Sequence, residues 1–216
     1  MARVEPTTRK RRRDGESTRR RVLDAVVSTI LERGYYQASS NEIARRAGVT
    51  WGAIQHLFGS REALMIAVLE DGWKGLEERI AAEEIAGGSL EVRLRAVLDV
   101  LATYYESPDH IAQIQILLDF TSNPATSTYT RQAIARHGEG LNRAWQPLFA
   151  QALGDASRDR DLVAYAFAAL RGYLGARNIA VTIANPPGDA VQRQLLINGV
   201  ASSLRAEAKR RGLQLR

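Results

Sequence analysis

The segment from Thr50 to His56 carries side chains whose types and spacing suit the edges of DNA bases. The amide of Gln55 offers a donor and an acceptor side by side, which is the pattern that pairs with adenine. The methyl groups of Thr50 and Ala53 can contact the methyl group of thymine. Gly52 weakens a helix by about 1 kcal/mol relative to alanine, so we interpret it as a point of close approach between backbone and DNA.

Capping residues and glycines predict that this segment is the second of two short helices. Ser39 and Glu42 have the spacing of a capping box at the start of the first helix, and Gly48 permits the backbone turn that ends it. Thr50 can cap the second helix, and Gly59 can end it. Two helices joined by a short turn with glycine form a helix-turn-helix unit, whose second helix enters the DNA major groove.

Three further side chains near this unit have more than one interpretation. Trp51 either contacts the DNA through its apolar ring or covers the core of its own domain. His56 lacks the spacing of a metal ligand, so a DNA contact is favoured, with a solvated histidine as the alternative. Arg61, at the start of the next helix, is expected to hold a phosphate, so Arg61→Ala should weaken binding to all sequences. The predicted DNA contacts are Ser39, Ser40, Thr50, Trp51, Gly52, Ala53, Gln55, His56, Ser60 and Arg61.

The same stretch resembles the DNA-binding domain of tetracycline-repressor-like (TetR/AcrR) regulators from about Ser17 to about Leu69. Two positions depart from the family, which usually has tyrosine at Gln55 and histidine or tyrosine at Leu57, aromatic residues that often hold phosphates. The matching residues are Gly34-Tyr35, Ser39, Ile43-Ala44, Ala47-Gly48-Val49-Thr50, Gly52, Ile54, Phe58, Ser60, Glu62 and Leu64. The resemblance implies an operator-binding homodimer that responds to a small molecule.

The positive charge of the chain is concentrated at its N-terminus. Residues 1–60 hold twelve Lys/Arg and six Asp/Glu, whereas the remaining residues hold eighteen of each, so the whole excess of +6 lies in the first segment. A basic module attached to a neutral body is typical of a nucleic-acid-binding protein with a second domain. Residues 1–16, with the run Arg9–Arg13, are predicted to be a flexible arm that adds electrostatic affinity.

Composition excludes several other classes of protein. Residues with apolar side chains make up 45% of the 216 residues and charged residues 25%, which suits a folded protein with a core. The absence of cysteine excludes disulfides and thiolate chemistry and fits a cytoplasmic location. No apolar run is long enough to span a membrane, and no secretory signal is evident. His110 and His137 stand isolated in the sequence, and no nucleotide, metal or hydrolase motif occurs, so we predict no cofactor, no metal and no enzyme activity.

Helical periodicity without strand patterns predicts an all-α protein. The predicted organisation is an arm at 1–16, a helix-turn-helix DNA-binding domain at 17–62, and a helical effector-binding and dimerisation domain at 63–216. In the resembling family the helices of the body surround an effector cavity. The residues placed there are Trp73, Tyr105, Gln113, Leu117, Phe120, Trp145 and Phe149. Ordinary core packing is the alternative for each of them.

The last two helices carry small and apolar residues that need a partner face. In the resembling family the corresponding helices form a two-fold dimer interface, with internal core packing as the alternative. The predicted interface residues are Ala169, Gly172, Tyr173, Ala176, Ala180, Leu195, Leu196, Gly199, Val200, Ser203 and Leu204. The sequence thus predicts a homodimeric, ligand-responsive repressor that binds double-stranded DNA. An effector-independent DNA-binding regulator is the alternative, and an all-helical enzyme ranks last.

Overall fold

The computed structural model describes residues 6–184 and 189–215, and within these ranges the chain is helical without strands. Two short 3₁₀ helices, Tyr35–Gln37 and Gly154–Arg158, connect longer elements. The all-α prediction is confirmed. The α-helices are α1 (Pro6–Arg33), α2 (Ser40–Ala47), α3 (Trp51–Phe58), α4 (Arg61–Ala82), α5 (Leu90–Tyr105), α6 (Pro108–Ser122), α7 (Thr128–Leu153), α8 (Arg160–Ala184) and α9 (Ala190–Arg210).

The first helix begins at Pro6, so the predicted flexible arm at residues 1–16 is wrong for residues 6–16. Residues 1–5 of that arm lie outside the described residues. Arginine and lysine are among the best helix-forming residues, whereas like-charge pairs along a helix cost only a few tenths of a kcal/mol each. Propensity therefore outweighs the repulsion on which the arm prediction rested.

The chain forms two compact units, and their limits differ from the predicted domains. The first unit takes the chain up to Gly72 together with Ile111–Arg136, and the second contains Trp73–His110 and the chain from His137 onward. Most of α6 and the beginning of α7 therefore belong with the helix-turn-helix. The predicted body at 63–216 is not a single contiguous unit.

The core of the first unit joins the helix-turn-helix to α1 and the beginning of α4. Helical periodicity predicts that Leu31 faces inward, yet it is 40% exposed. The many apolar residues of α6 predict a buried helix, yet Leu118 is 61% exposed. In each case a neighbouring apolar residue, Ile30 or Phe120, takes the inward position. The fully buried side chains include Val22, Val26, Ile30, Ile43, Ile54 and Leu64.

The two short helices are bounded as the sequence predicts. The Ser39 hydroxyl accepts the Glu42 backbone N–H at 3.2 Å, and the Thr50 hydroxyl accepts the Ala53 N–H at 3.2 Å. Gly48 has a left-handed φ of 65°, a backbone that glycine adopts without strain. Each cap satisfies an orphan donor at a helix start, which fixes where α2 and α3 begin.

The second unit has a core to which α4, α5, α7, α8 and α9 all contribute. Helix α8 is capped by Asp159, whose carboxylate accepts the N–H groups of Asp161 and Leu162. The sequence alone predicts a cap slightly earlier, within Asp155–Ser157, and that prediction is wrong. Pro147 lies on the exposed side of α7, and the helix continues without interruption across it. The prolines and glycine of Asn185–Asp189 predict a break between the last two helices, but residues 185–188 lie outside the described residues.

Candidate nucleic-acid interface

Helix α3 separates a buried face from an exposed face. Ile54 is fully buried, and the half-buried Phe58 ring lies under the Arg19 guanidinium at 4.8 Å. On the opposite side Thr50, Gly52, Gln55 and His56 are exposed, while Trp51 and Ala53 are half-buried. The fold therefore gathers the predicted base-contacting residues on one accessible surface, and the half-buried Trp51 remains compatible with both of its interpretations.

Gly52 has no structural reason for being glycine within its own chain. A Cβ atom added there would meet only the Thr50 hydroxyl oxygen, at 3.8 Å, which is ordinary van der Waals contact. The position is also exposed on the same side as Gln55. Because glycine costs about 1 kcal/mol in a helix, a compensating benefit is expected outside the chain. This observation favours close approach of another molecule to the α3 backbone.

The acidic residue of the predicted capping box binds arginines instead of the helix start. Glu42 lies 2.8 Å from Arg45 and 2.8 Å from Arg46, and 3.5 Å from Arg33. Hydrogen bonds from Arg45 and Arg46 lower the pKa of Glu42 to about 2. Only the serine half of the capping box is thus confirmed. The predicted DNA contacts Ser39 and Ser40, of which Ser40 is half-buried, lie near Glu42. The Glu42 carboxylate forms ion pairs with arginines that would otherwise be available to bind phosphate groups.

Arg61 has a different environment from the one its predicted phosphate contact assumed. Its guanidinium donates a hydrogen bond of 2.6 Å to the Ala38 carbonyl and a longer one of 3.5 Å to the Tyr35 carbonyl. It also lies 5.5 Å from the centre of the Tyr35 ring. Through these contacts Arg61 stabilises the segment that connects α1 to α2. Ser60 is exposed and caps α4 through the Ala63 N–H at 3.1 Å.

We therefore expect Arg61→Ala to lower stability as well as DNA affinity. Loss of the guanidinium leaves the partly buried Ala38 carbonyl without its donor, at a cost of about 1–3 kcal/mol. A thermal melt followed by circular dichroism, beside binding to specific and random DNA, measures both effects. Arg136→Ala, an exposed change in the same unit, is the matched control. An unchanged melting temperature with uniformly weaker DNA binding would instead support direct phosphate contact.

A polar cluster of Glu62, Ser127 and Thr130 connects α4 to the start of α7 within the first unit. The Glu62 carboxylate accepts the Ser127 hydroxyl at 2.6 Å, the Ser127 N–H at 3.2 Å and the Thr130 hydroxyl at 2.7 Å. Donation by Ser127 and Thr130 lowers the pKa of Glu62. This cluster was not predictable from the sequence, because nothing in the local pattern pairs residues so far apart in the chain.

Helix α6 is connected to the helix-turn-helix by a second set of polar contacts. The Tyr35 N–H donates to the Gln115 side-chain oxygen at 2.9 Å. Burial, followed by hydrogen bonding to Asp119, raises the pKa of the Tyr35 hydroxyl to about 12. Gln115 and Asp119 lie one turn apart on α6, so both reach the same residue. These contacts explain why α6 belongs to the first unit.

The seven predicted effector residues are divided between the two units. Gln113, Leu117 and Phe120 belong to the first unit, where Gln113 is buried against Gly72. Trp73 stacks on His137 with ring centres 4.5 Å apart, and Tyr105 packs against His110 at 4.9 Å. Trp145 and Phe149 line a cavity of 680 Å³ within the second unit. Two of the seven predicted effector residues, Trp145 and Phe149, therefore line the same cavity.

The predicted dimer residues are also divided, in this case by burial. Val200 (3% exposed) and Leu204 (0%) are core residues of the second unit, so their assignment to a dimer interface is wrong. Ala169, Tyr173, Ala180 and Leu196 are half-buried, whereas Gly172, Ala176, Leu195, Gly199 and Ser203 are exposed. Part of the apolar stripe predicted on α9 therefore faces the core of the second unit.

The structure offers no alternative site for metal chemistry in the part of the chain that it describes. No group of three or more potential metal-ligating His, Asp or Glu side chains occurs among residues 6–184 and 189–215. His110 is buried among aromatic rings, and this burial lowers its pKa to about 4, as expected for a structural histidine. Nor does any helix of the described ranges have the length and hydropathy to cross a membrane.

Comparison with known proteins assigns the N-terminal domain. Residues 22–68 match the family described as bacterial regulatory proteins, tetR family. The HTH-type transcriptional regulator BetI of Cronobacter sakazakii is 36% identical over 104 residues, which are 47% of this chain and 50% of BetI. The chain thus spans about half the length of the curated relatives it matches. The helix-turn-helix is therefore a DNA-binding domain of the tetR family, as the resemblance implied.

Solved structures extend the similarity to the fold of most of the chain. A transcriptional regulator from Rhodococcus sp. Rha1 is 19% identical with a TM-score of 0.63, covering 86% of this chain and 95% of that one. NalD, the secondary repressor of the MexAB-OprM multidrug efflux pump in Pseudomonas aeruginosa, is 22% identical with a TM-score of 0.55, covering 87% and 95%. The chain thus has a TetR-like fold. The curated BetI relatives are named as transcriptional regulators, which does not favour the enzyme alternative.

Proposed function

We propose that the protein is a homodimeric transcriptional repressor that binds a pseudo-palindromic operator and is released by a small, mostly apolar effector. The observation that carries this proposal is the exposed face of α3. Its polar side chains Gln55 and His56 have no described partner within the chain, and they lie on a domain of the tetR family. The proposal also implies that the protein is located in the cytoplasm, where bacterial DNA is found.

The base contacts proposed for α3 follow from its geometry. Thr50, Ala53 and Gln55 lie in the first turns of a helix whose other face is fixed by the buried Ile54. In helix-turn-helix proteins the N-terminal residues of the second helix contact base edges in the major groove. Gln55 supplies the bidentate contact to adenine, and Gly52 allows the backbone to approach the duplex.

An exposed apolar face on α8 and α9 supports the proposed dimer. Ile179 is 48% exposed, Ile183 77%, Val191 69% and Leu195 65%, beside the exposed Gly172. Large apolar side chains clustered in this way at a surface mark an interaction site, and small residues let helices approach closely. A second copy of the same two helices buries this face and supplies a second recognition helix, as a pseudo-palindrome requires.

The two polar connections within the first unit provide a route for the effector signal. Hydrogen bonds to Glu62 connect α4 to the start of α7, and the hydrogen bond between Gln115 and the Tyr35 N–H connects α6 to Tyr35. Both α4 and α7 continue from the first unit into the second. An effector that prefers one arrangement of these helices shifts the population of DNA-binding conformations, provided that it binds the two arrangements with different affinity.

Glu62→Gln tests this route. The amide retains one acceptor oxygen where the carboxylate accepts three hydrogen bonds, so the connection to Ser127 and Thr130 is weakened by about 1–3 kcal/mol. We expect a several-fold change in the effector concentration needed to release operator DNA, with base preference unchanged. Glu77→Gln, an exposed change on the same helix, is the control. Identical effector dose–response curves for Glu62→Gln and wild type would exclude this route.

Selection of bound fragments from genomic DNA by the purified protein tests the proposed function. We expect the recovered fragments to share an inverted repeat whose half-sites lie one or more helical turns apart. Compounds suggested by the genes beside the recovered site are then tested for release of the DNA. Recovery of fragments without a common sequence would contradict the proposed operator recognition.

A further inference from the structure

Helix α1 places two arginine side chains beside the two ends of α3. The Arg19 guanidinium lies 4.8 Å from the centre of the Phe58 ring, and Phe58 is the last residue of α3. Near the other end of α3, a Cβ atom added at Gly48 would lie 3.8 Å from the Nη1 atom of Arg21. Gly48 precedes the cap of α3, Thr50, by two residues. The two guanidinium groups therefore lie at opposite ends of α3.

The charges of these two arginines are available to a molecule outside the chain. Both side chains are exposed, and within residues 6–184 and 189–215 neither forms an ion pair with a carboxylate. Arg20, which lies between them in the sequence, differs in this respect. Its guanidinium forms ion pairs of 2.9 Å with Asp24 on α1 and with Asp71 on α4. Arg19 and Arg21 thus retain a net positive charge at the surface.

Other arginines near the helix-turn-helix are engaged within the chain. Arg61 donates to carbonyl groups, and Arg45 and Arg46 pair with a carboxylate on α2. A DNA-binding domain needs cations at its DNA surface, because contacts with phosphates release counterions and supply much of the affinity. The arginines at the ends of α3 are placed to supply such contacts.

The separation of the two sites agrees with the width of the DNA major groove. The groove is about 12 Å wide and is bordered by the two phosphate backbones. Helix α3 has eight residues and is therefore about 12 Å long. When α3 occupies the groove, cations held at its ends lie close to phosphate groups. A guanidinium presents a planar set of N–H donors that pairs well with phosphate oxygens.

We infer that Arg19 and Arg21 bind phosphates of the DNA backbone at the two ends of α3 and fix the position of α3 in the major groove. The inference rests on the proposed function and deepens it, because it names the side chains that hold the DNA backbone. Contacts of this kind raise the affinity for every sequence and carry no base preference of their own.

The salt dependence of DNA binding by the double variant Arg19→Gln/Arg21→Gln tests the inference. Fluorescence anisotropy measures the affinity for the selected operator and for a random duplex between about 50 and 200 mM salt. Each lost phosphate contact lowers the slope of log affinity against log salt by about one, so we expect a decrease of about four for a dimer. Both duplexes should bind about 10²–10⁴-fold more weakly, with the ratio of the two affinities unchanged.

Arg20→Gln is the matched control, because it removes the same charge from the same helix at a side chain that carboxylates already bind. Arg19→Gln and Arg21→Gln should each lower the slope by about two for a dimer, whereas Arg20→Gln should leave it close to the wild-type slope. Equal decreases in the three single variants, or a wild-type slope in the double variant, would overturn the inference.

A second pair of variants separates a phosphate contact from a structural role. Arg19→Lys/Arg21→Lys retains both charges and should keep the wild-type slope. Circular dichroism shows whether each variant is folded at the temperature of the binding measurement. If loss of the contact with Phe58 unfolds Arg19→Gln, the single variant Arg21→Gln decides, because Arg21 has a long, exposed hydrogen bond of 3.4 Å to the Thr18 hydroxyl.

The inference and the proposed function fail in different ways. An operator that the wild type selects, and that the glutamine variants bind with the wild-type slope, would support the repressor proposal and contradict the phosphate contacts. Recovery of fragments without a common sequence, together with a lower slope in the Arg19 and Arg21 variants, would contradict operator recognition and support the phosphate contacts.

Discussion

Replacing both Ile179 and Leu195 by glutamate should convert the protein to a monomer and abolish operator binding at working concentrations. The two side chains are 48% and 65% exposed on the proposed dimer face. Across a two-fold axis the double variant would place four carboxylates in an interface that excludes water, and unpaired buried charges are strongly unfavourable. Loss of the second recognition helix should cost about 10²–10⁴-fold in operator affinity, because avidity of that size is lost with the dimer.

Light scattering of the eluting protein and fluorescence anisotropy with operator DNA measure the two effects. The wild type should have twice the chain mass of 23.9 kDa, and the double variant should have the chain mass itself. Val92→Glu provides a matched control, because Val92 is 55% exposed on α5, a helix that is not part of the proposed dimer face. A double variant that stays dimeric and binds operator with wild-type affinity would place the interface elsewhere.

Gln55→Ala should remove discrimination at one base pair of each half-site. A bidentate contact to a base contributes about 1–3 kcal/mol, so the loss over two half-sites is about 2–6 kcal/mol on the specific operator. Affinity for random DNA should change little, because that affinity comes from phosphate contacts. The substitution is at an exposed position of α3, which keeps the folding cost small.

A panel of operators with symmetric single-base changes locates the base that Gln55 contacts. The variant should bind the original operator and the operator changed at that base equally well, while still discriminating at the other positions. Gln132→Ala, at an exposed glutamine in the same unit, serves as the control. Equal loss of affinity on operator and random DNA would contradict the base-contacting role.

The helix-turn-helix was predictable from the sequence because its determinants are local. The caps at Ser39 and Thr50 and the left-handed turn at Gly48 each depend on residues within four positions of one another. Local hydrogen bonds of this kind recur wherever the same residues recur, so the sequence pattern identifies them. Gln55 and Gly52 could be placed on the exposed face for the same reason.

The polar connections of the first unit were not predictable, since they join distant parts of the chain. Tyr35 and Gln115 are 80 residues apart, and Glu62 and Ser127 are 65 residues apart. Arg61 shows the same limit, because its carbonyl partner Ala38 lies on another element. One sequence indicates which side chains can form hydrogen bonds but not which distant groups they meet.

Periodicity also leaves the partner of an apolar face undetermined. Leu195 and Leu204 lie on the same predicted stripe of α9, yet the first is 65% exposed and the second is fully buried. When two faces of a helix are apolar, the sequence shows one broad apolar stripe. Which side of α9 packs into the core depends on its contacts with α5 and α8. The start of α1 was misplaced because charge repulsion was weighted above helix propensity.

Hydroxyl-radical footprinting of the purified protein on its selected operator, at low ionic strength and with the mass of the complex determined in parallel, tests the central claim most directly. We expect two chains per operator or a multiple of two, with protected segments one helical turn apart, about 10–10.5 base pairs, or multiples of that distance. The affinity should fall steeply as salt is added. A monomer that protects no double-stranded DNA under these conditions would contradict the account.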